Sequence, residues 1–213
     1  MALDAIRVLL VDDHAIARNG VRLMLGTASD IAVTGEASNA QEALHLLAAN
    51  SYDVALLDIT MPGKNGLELL KQLRAEQPRL AVLMLSTYAE DIYAVRALKL
   101  GAAGYLTKDA PTSTLVTAVR KAAAGGKHVS EAVVEKLTNL ISGGSGGASH
   151  EALSNRELEV FKLIAAGESL VRIGEALRLS PNTVTTYRSR ILEKMAMTSN
   201  AELTRYALEN GII

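Results

Sequence analysis

Five short apolar runs recur between residues 6 and 108: IRVLLV, IAVTGEA, VALLDI, LAVLMLS and AGYLTK. The central ones are continuous rather than alternating, as strands covered on both faces should be. Between them, apolar residues fall at helical spacing, as in Ala17-Val21-Leu25, Ala43-Leu47, Leu67-Leu70-Leu73 and Leu115-Val119. Repeated alternation of strand and helix predicts an α/β fold, a doubly wound parallel sheet of five strands with helices on both faces. A helix-like stretch over roughly 129–141 leads into SGGSGGAS at 142–149, whose composition is that of a flexible linker. Residues 150–213 carry no strand signal and read as all-helical.

Composition narrows the function classes. Cysteine is absent, which excludes disulfides and thiolate metal sites and fits a reducing cytoplasm. His14, His45, His128 and His150 are scattered, which argues against a histidine-rich metal site. No apolar run reaches the ~18 residues of a membrane helix, and the start, MALDAIR, lacks the layout of a signal peptide. Residues 150–213 hold eight Lys/Arg and eight Asp/Glu. Any affinity of that half for nucleic acid must therefore come from local placement of charge.

In an open α/β sheet, ligands bind beyond the carboxyl ends of the strands. The first strand ends in Asp12-Asp13, the third in Asp58, the fourth in Ser86-Thr87 and the fifth near Lys108. Each residue alone has an ordinary reading. Asp13 could cap a helix, Asp58 could open a turn before Met61-Pro62-Gly63, Ser86 could fill a loop, and Lys108 could be a surface charge. Those readings do not explain the joint placement. Three clustered carboxylates repel one another without a cation, and oxygen ligands of this kind suit Mg²⁺. A lysine and a hydroxyl opposite would bind phosphoryl oxygens. The set suits formation of an aspartyl-phosphate.

VDDH, LLDITMPGKNG, LST and GYLTKD, in this order, resemble the receiver domain of two-component response regulators over residues ~5–125. The chemotaxis receiver is a known example of this sheet order. The resemblance implies that Asp58 is the phosphoacceptor and that Asp12, Asp13 and Asp58 hold Mg²⁺, with the Thr60 carbonyl as a further ligand. It implies that Lys108 pairs with the phosphoryl group, that Ser86, followed by Thr87, supplies the switch hydroxyl, and that Tyr105 is the aromatic switch. For Tyr105 an ordinary strand tyrosine remains the alternative. Asp109 stands where Pro commonly follows the lysine.

The C-terminal part carries repeated helix-start signals. Ser154 with Glu157 forms a capping box flanked by a Leu153/Leu158 staple. Gly167 ends that helix and Ser169 can cap the next. Ser180 precedes Pro181 at the favoured first position of a third, and Ser199 with Glu202 makes a second box. Four short helices result, the middle two joined by a tight turn near 178–180, the outline of a helix-turn-helix. On the third helix Val184, Tyr187, Ile191 and Met195 share an inward face. Asn182, Thr185, Thr186 and Ser189 point outward, suited to base edges. Thr183, Arg190 and Lys194 line one flank and Arg188 the other, suited to phosphates. A solvated face of a protein-binding module has the same spacing.

LSNRELEVFKLIAAGESLVRIGEALRLSPNTVTTYRSRILEKM resembles the LuxR-type helix-turn-helix throughout. With the receiver in front, the chain is identified as similar to the NarL/FixJ family of transcriptional regulators. The expected domains are a receiver over 1–128, a helix and linker over 129–149, and a DNA-binding domain over 150–213. The resemblance implies a cytoplasmic regulator rather than an enzyme, capable only of Mg²⁺-dependent self-phosphorylation. Its partners would be a sensor histidine kinase and double-stranded promoter DNA, bound as a homodimer enhanced by phosphorylation. Leu203, Tyr206 and Ala207 of the final helix, and the receiver helices, are candidate dimer contacts. Two departures, Gly174 where Ala is usual and Thr185 where Lys is frequent, would weaken affinity. A hydrolase using the same pocket is disfavoured, since no strong general base stands beside it.

Overall fold

The computed structural model describes residues 5–61, 64–87, 90–141 and 150–213. The Gly/Ser run at 142–149 and Pro62-Gly63 lie outside the described residues. The chain divides into two compact units, Met1–Ser142 and Gly143–Ile213.

The first unit alternates β1 (Ile6–Val11), α1 (Ala15–Leu25), β2 (Ile31–Ala37), α2 (Ala40–Ala49), β3 (Val54–Asp58), α3 (Gly66–Glu76), β4 (Ala81–Ser86), α4 (Glu90–Lys99), β5 (Gly104–Thr107) and α5 (Thr112–Ala123). The strands form one sheet in the order β2-β1-β3-β4-β5, and each pairing is parallel. The doubly wound expectation therefore holds. Side chains alternate across a strand, and here both faces are covered. Val8, Leu10, Val54, Leu56, Leu83 and Leu85 join Val21 and Leu25 of α1 and Leu115, Ala118 and Val119 of α5 in one core. Leu9, Val11, Ala55, Leu57, Val82 and Met84 face the other way and are buried too. That second layer explains the continuous apolar runs. β2, an edge strand, is only partly buried along its length.

The segment after α5 is not a free connector. His128 N–H donates to the Ala103 carbonyl at 2.7 Å, and α6 (Glu131–Ile141) packs against α4. The helix expected to lead into the linker thus folds with the first unit, past the expected boundary at 128.

The second unit holds α7 (Asn155–Ala165), α8 (Leu170–Leu177), α9 (Pro181–Lys194) and α10 (Asn200–Glu209). Ser154 and Glu157 make the reciprocal capping box, and the staple residues Leu153 and Leu158 are both buried. Ser169 and Ser180 cap α8 and α9. The second box is offset by one residue. Ser199 caps α10, but the Glu202 carboxylate accepts from the Thr198 N–H at 2.6 Å. Arg178 takes a left-handed conformation (φ 54) at the end of α8 and turns the chain into α9. Gly174, inside α8, lets this turn pack close: a Cβ there would lie 2.7 Å from the Leu179 carbonyl oxygen. Its place is thus explained by close packing. Val184 and Ile191 of α9 and Met195 just after it are buried, as are Phe161 and Ile164 of α7 and Ile173 of α8, and α9 packs against both of those helices. Leu203 and Ala207 of α10 are fully buried in this unit's own core, so they cannot serve as the dimer contact expected of them. Leu208 is a large apolar residue that α10 leaves exposed.

Candidate functional site

The carboxyl edge of the sheet brings the acidic residues together. Asp12 directly follows β1 and is 1% exposed, while Asp58 ends β3 and is 3% exposed. Lys108, just beyond β5, places its Nζ 2.6 Å from Asp12 Oδ2 and 3.0 Å from Asp58 Oδ2. Its own N–H donates to the Ser86 carbonyl at 2.7 Å, which fixes the lysine's base at the end of β4. Ser86 is buried and Thr87 exposed. Tyr105 is buried and opposes Met84 across the β4–β5 pair. Thr60 is exposed, and its N–H donates to the Asp58 carboxylate.

Burial pushes the Asp58 carboxyl up from 3.8 to about 6, against the opposing pull of Lys108. Burial by itself would lower Lys108, but the hydrogen bond to Asp12 and the charge of Asp58 hold it above its usual value. One ammonium therefore does not satisfy the pocket, which has room in its charge balance for a further cation. Ligand atoms of Asp12, Asp13, His14 and Asp58 all lie within 4.8 Å of one another.

Several contributors were not legible in the sequence. His14, expected to be merely scattered, sets Nδ1 2.8 Å from Asp13 Oδ1, and its N–H donates to Asp12 Oδ1. Asp13 does not cap α1. The N-cap position is His14, with no side-chain cap bond. Arg18 donates to the Asp12 carbonyl at 2.6 Å and pairs with Glu36 at 3.5 Å. It thus ties the acidic loop to α1 and β2. Asn65 is buried and caps α3, its side chain accepting from Glu68 N–H. Gly66 lies so close to β3 that a Cβ would sit 2.0 Å from the Asp58 carbonyl oxygen. The Lys64-Asn65-Gly66 triplet carried that signal, but only as an ordinary helix start.

In the second unit, α9 turns Asn182, Thr185, Thr186, Ser189 and Arg190 to solvent. Thr183 and Arg188 are half-buried, and Arg188 Nε donates to Asn200 Oδ1 at 2.7 Å. Lys194 Nζ reaches Glu157 Oε2 at 2.6 Å. Glu157 is buried at the start of α7. Burial would raise its carboxyl, but Lys194 and Ser154 hold it below the usual range. Lys194 therefore locks the end of α9 to α7 while staying partly exposed.

Residues 8–120 match the family described as "Response regulator receiver domain", and residues 151–207 match "Bacterial regulatory proteins, luxR family". The response regulator GacA of Pseudomonas protegens is 36% identical over 208 residues, spanning 98% of each chain. This chain belongs to the NarL/FixJ family of response regulators. It is a two-component transcription regulator with a receiver and a LuxR-type DNA-binding domain. Response regulator ChrA of a heme-sensing two-component system is 33% identical, with TM-score 0.55 over 99% of this chain and 100% of that one. RcsB of Salmonella enterica serovar Typhimurium, solved on the promoter rprA with the phosphomimetic BeF3-, shares the fold. Its TM-score is 0.67 at 24% identity, over 95% of this chain and 98% of that one. Among the described residues of this regulator, no helix is long and apolar enough to cross a membrane.

Proposed function

We propose that the regulator accepts a phosphoryl group on Asp58 from a sensor histidine kinase, or from a small phosphodonor, and then binds promoter DNA as a dimer in the cytoplasm. The observation that carries this reading is the buried Asp58 carboxylate, 3.0 Å from Lys108 and clustered with Asp12 and Asp13. Asp12, Asp13, Asp58 and the Thr60 carbonyl would hold Mg²⁺, which neutralises phosphoryl oxygens when bound. An Asp58 oxygen attacks phosphorus, the bond to the donor's imidazole nitrogen breaks, and that nitrogen keeps the electron pair. Lys108, already 3.0 Å from the attacking carboxylate, takes up charge on the transferred group. Ser86 and Thr87 supply hydroxyls at the neighbouring strand end, and Tyr105 lies in the adjoining strand, so these three are the switch residues.

On DNA, Thr185, Thr186, Ser189 and Asn182 face the bases. Thr183, Arg188 and Arg190 face phosphates. Lys194 shares that flank, but its charge is balanced by Glu157. Arg190, exposed, carries more of the counterion release. The test is mass spectrometry after incubation with a small phosphodonor, alongside gel shifts. One phosphate should appear in Mg²⁺, and neither Asp58→Asn nor a chelated sample should acquire it. Normal labelling of Asp58→Asn sinks the assignment. An unchanged dimer population and DNA affinity on phosphorylation sinks the switch.

A further inference from the structure

The outward face of α9 carries three hydroxyls whose protons are already committed. Thr185 Oγ1 donates to the Pro181 carbonyl at 3.0 Å, Thr186 Oγ1 to the Asn182 carbonyl at 3.0 Å, and Ser189 Oγ to the Thr185 carbonyl at 3.1 Å. All three residues are exposed. A hydroxyl has one proton to give, and its remaining lone pairs only accept. Bonding of this kind to the preceding turn is a stable alternative for Ser and Thr in helices. It changes what the helix offers to a groove. With Oγ1 turned onto the helix backbone, the γ-methyl of each threonine is the group left to face outward.

The major-groove edges of the four bases differ in what they ask for. Guanine presents two acceptors and needs a donor. Thymine presents a methyl group and asks for an apolar contact. The cationic donors nearby are partly engaged, since Arg188 Nε is held by Asn200 and Lys194 by Glu157. Exposed Asn182 and Arg190 keep donors one turn before the pair and on its flank. The methyl groups at the centre of the face therefore suit thymine's methyl better than guanine's two acceptors.

Resting on the DNA-binding reading above, we propose that Thr185 and Thr186 read thymine 5-methyl groups through their own γ-methyls. The base pairs these two residues touch in each half-site would then be A·T pairs chosen by apolar contact. The hydroxyls serve the helix, not the bases.

Two changes separate methyl from hydroxyl. Thr186→Val keeps the methyl and removes the hydroxyl, while Thr186→Ser does the reverse. The same pair applies at Thr185. The phosphodonor-treated full chain first selects its best duplex from a random pool. Fluorescence anisotropy then follows binding to that duplex and to copies with each thymine singly replaced by deoxyuridine, which pairs identically and lacks only the methyl. One or two thymines per half-site should cost about three- to tenfold in affinity when demethylated. Thr186→Ser or Thr185→Ser should lose a similar factor on the thymine duplex and nothing more on the matching deoxyuridine duplex. The Val variants should stay within about twofold of the parent. If specific binding ignores every demethylation, or if Val costs as much as Ser, the γ-methyls are not the readers and the inference is overturned alone. If no duplex is selected above non-specific binding, the DNA-binding reading fails and takes this one with it.

Discussion

Replacing Asp58 by Asn should stabilise the receiver unit, and by an amount that depends on pH. The native carboxyl holds its proton up to about 6, whereas the unperturbed group releases it at 3.8. Between those values the native state binds more protons than the unfolded chain, so stability falls as pH rises. Full stabilisation is present below 3.8 and is lost on passing through about 6. The displacement corresponds to about 3 kcal/mol of penalty for the ionised form. Asp58 is nearly fully buried, so solvent screening hardly discounts it. Asn is neutral at every pH and escapes the penalty. In chelator, the advantage of Asp58→Asn over the parent should therefore grow by up to about 3 kcal/mol between pH 4 and pH 8. Saturating Mg²⁺ should shrink that growth, because a cation relieves the parent and not the variant. Equilibrium urea unfolding at each pH, read by a brief deuterium pulse at one fixed pH and mass spectrometry of the β1 and β3 peptides, reports this unit separately. An advantage that is flat with pH, or a variant less stable than the parent at pH 8 in chelator, refutes the reasoning.

Gly66→Ala should destabilise the receiver by roughly 2–4 kcal/mol in the same unfolding assay, since its Cβ meets backbone that cannot yield; a loss under 0.5 kcal/mol would mean that α3 moves freely. Arg190→Ala should weaken binding to all duplexes alike and lower the slope of log K against log salt by about one per subunit, measured by anisotropy titrations at several salt concentrations. A changed sequence preference would show that Arg190 touches bases. Lys194→Met should cost the DNA-binding unit roughly 1–3 kcal/mol by leaving the buried Glu157 carboxylate unpaired, while reducing the salt slope by less than Arg190→Ala does. The reverse ranking of slopes would place the Lys194 ammonium on a phosphate.

Most of the fold and the outline of the site were legible because their signals are local or follow from topology. β3 is buried along its whole length, and an unbroken run such as VALLD needs cover on both faces. Once the sheet is parallel, every strand delivers its C-terminal residue to one edge, so Asp12, Asp58, Ser86 and Lys108 meet without a contact having to be guessed. The cap at Ser154 is legible for a similar reason, since its partners stand three residues apart. What was missed depends on distances that no local pattern carries. Arg18 matters because its guanidinium turns back to the Asp12 carbonyl, yet in the sequence it is one more polar position on an amphipathic helix. Lys194 looked like a flank cation because a helical wheel has no knowledge of Glu157, 37 residues away. Leu203 and Ala207 looked available for a partner because an apolar stripe does not say whether its own domain already covers it. Gly174 looked like a departure that weakens affinity, and its packing role emerges only when Leu179 is brought against it by the left-handed Arg178. In each case periodicity identifies which residues share a face. Which face, and against what, is decided by the closing of the tertiary structure.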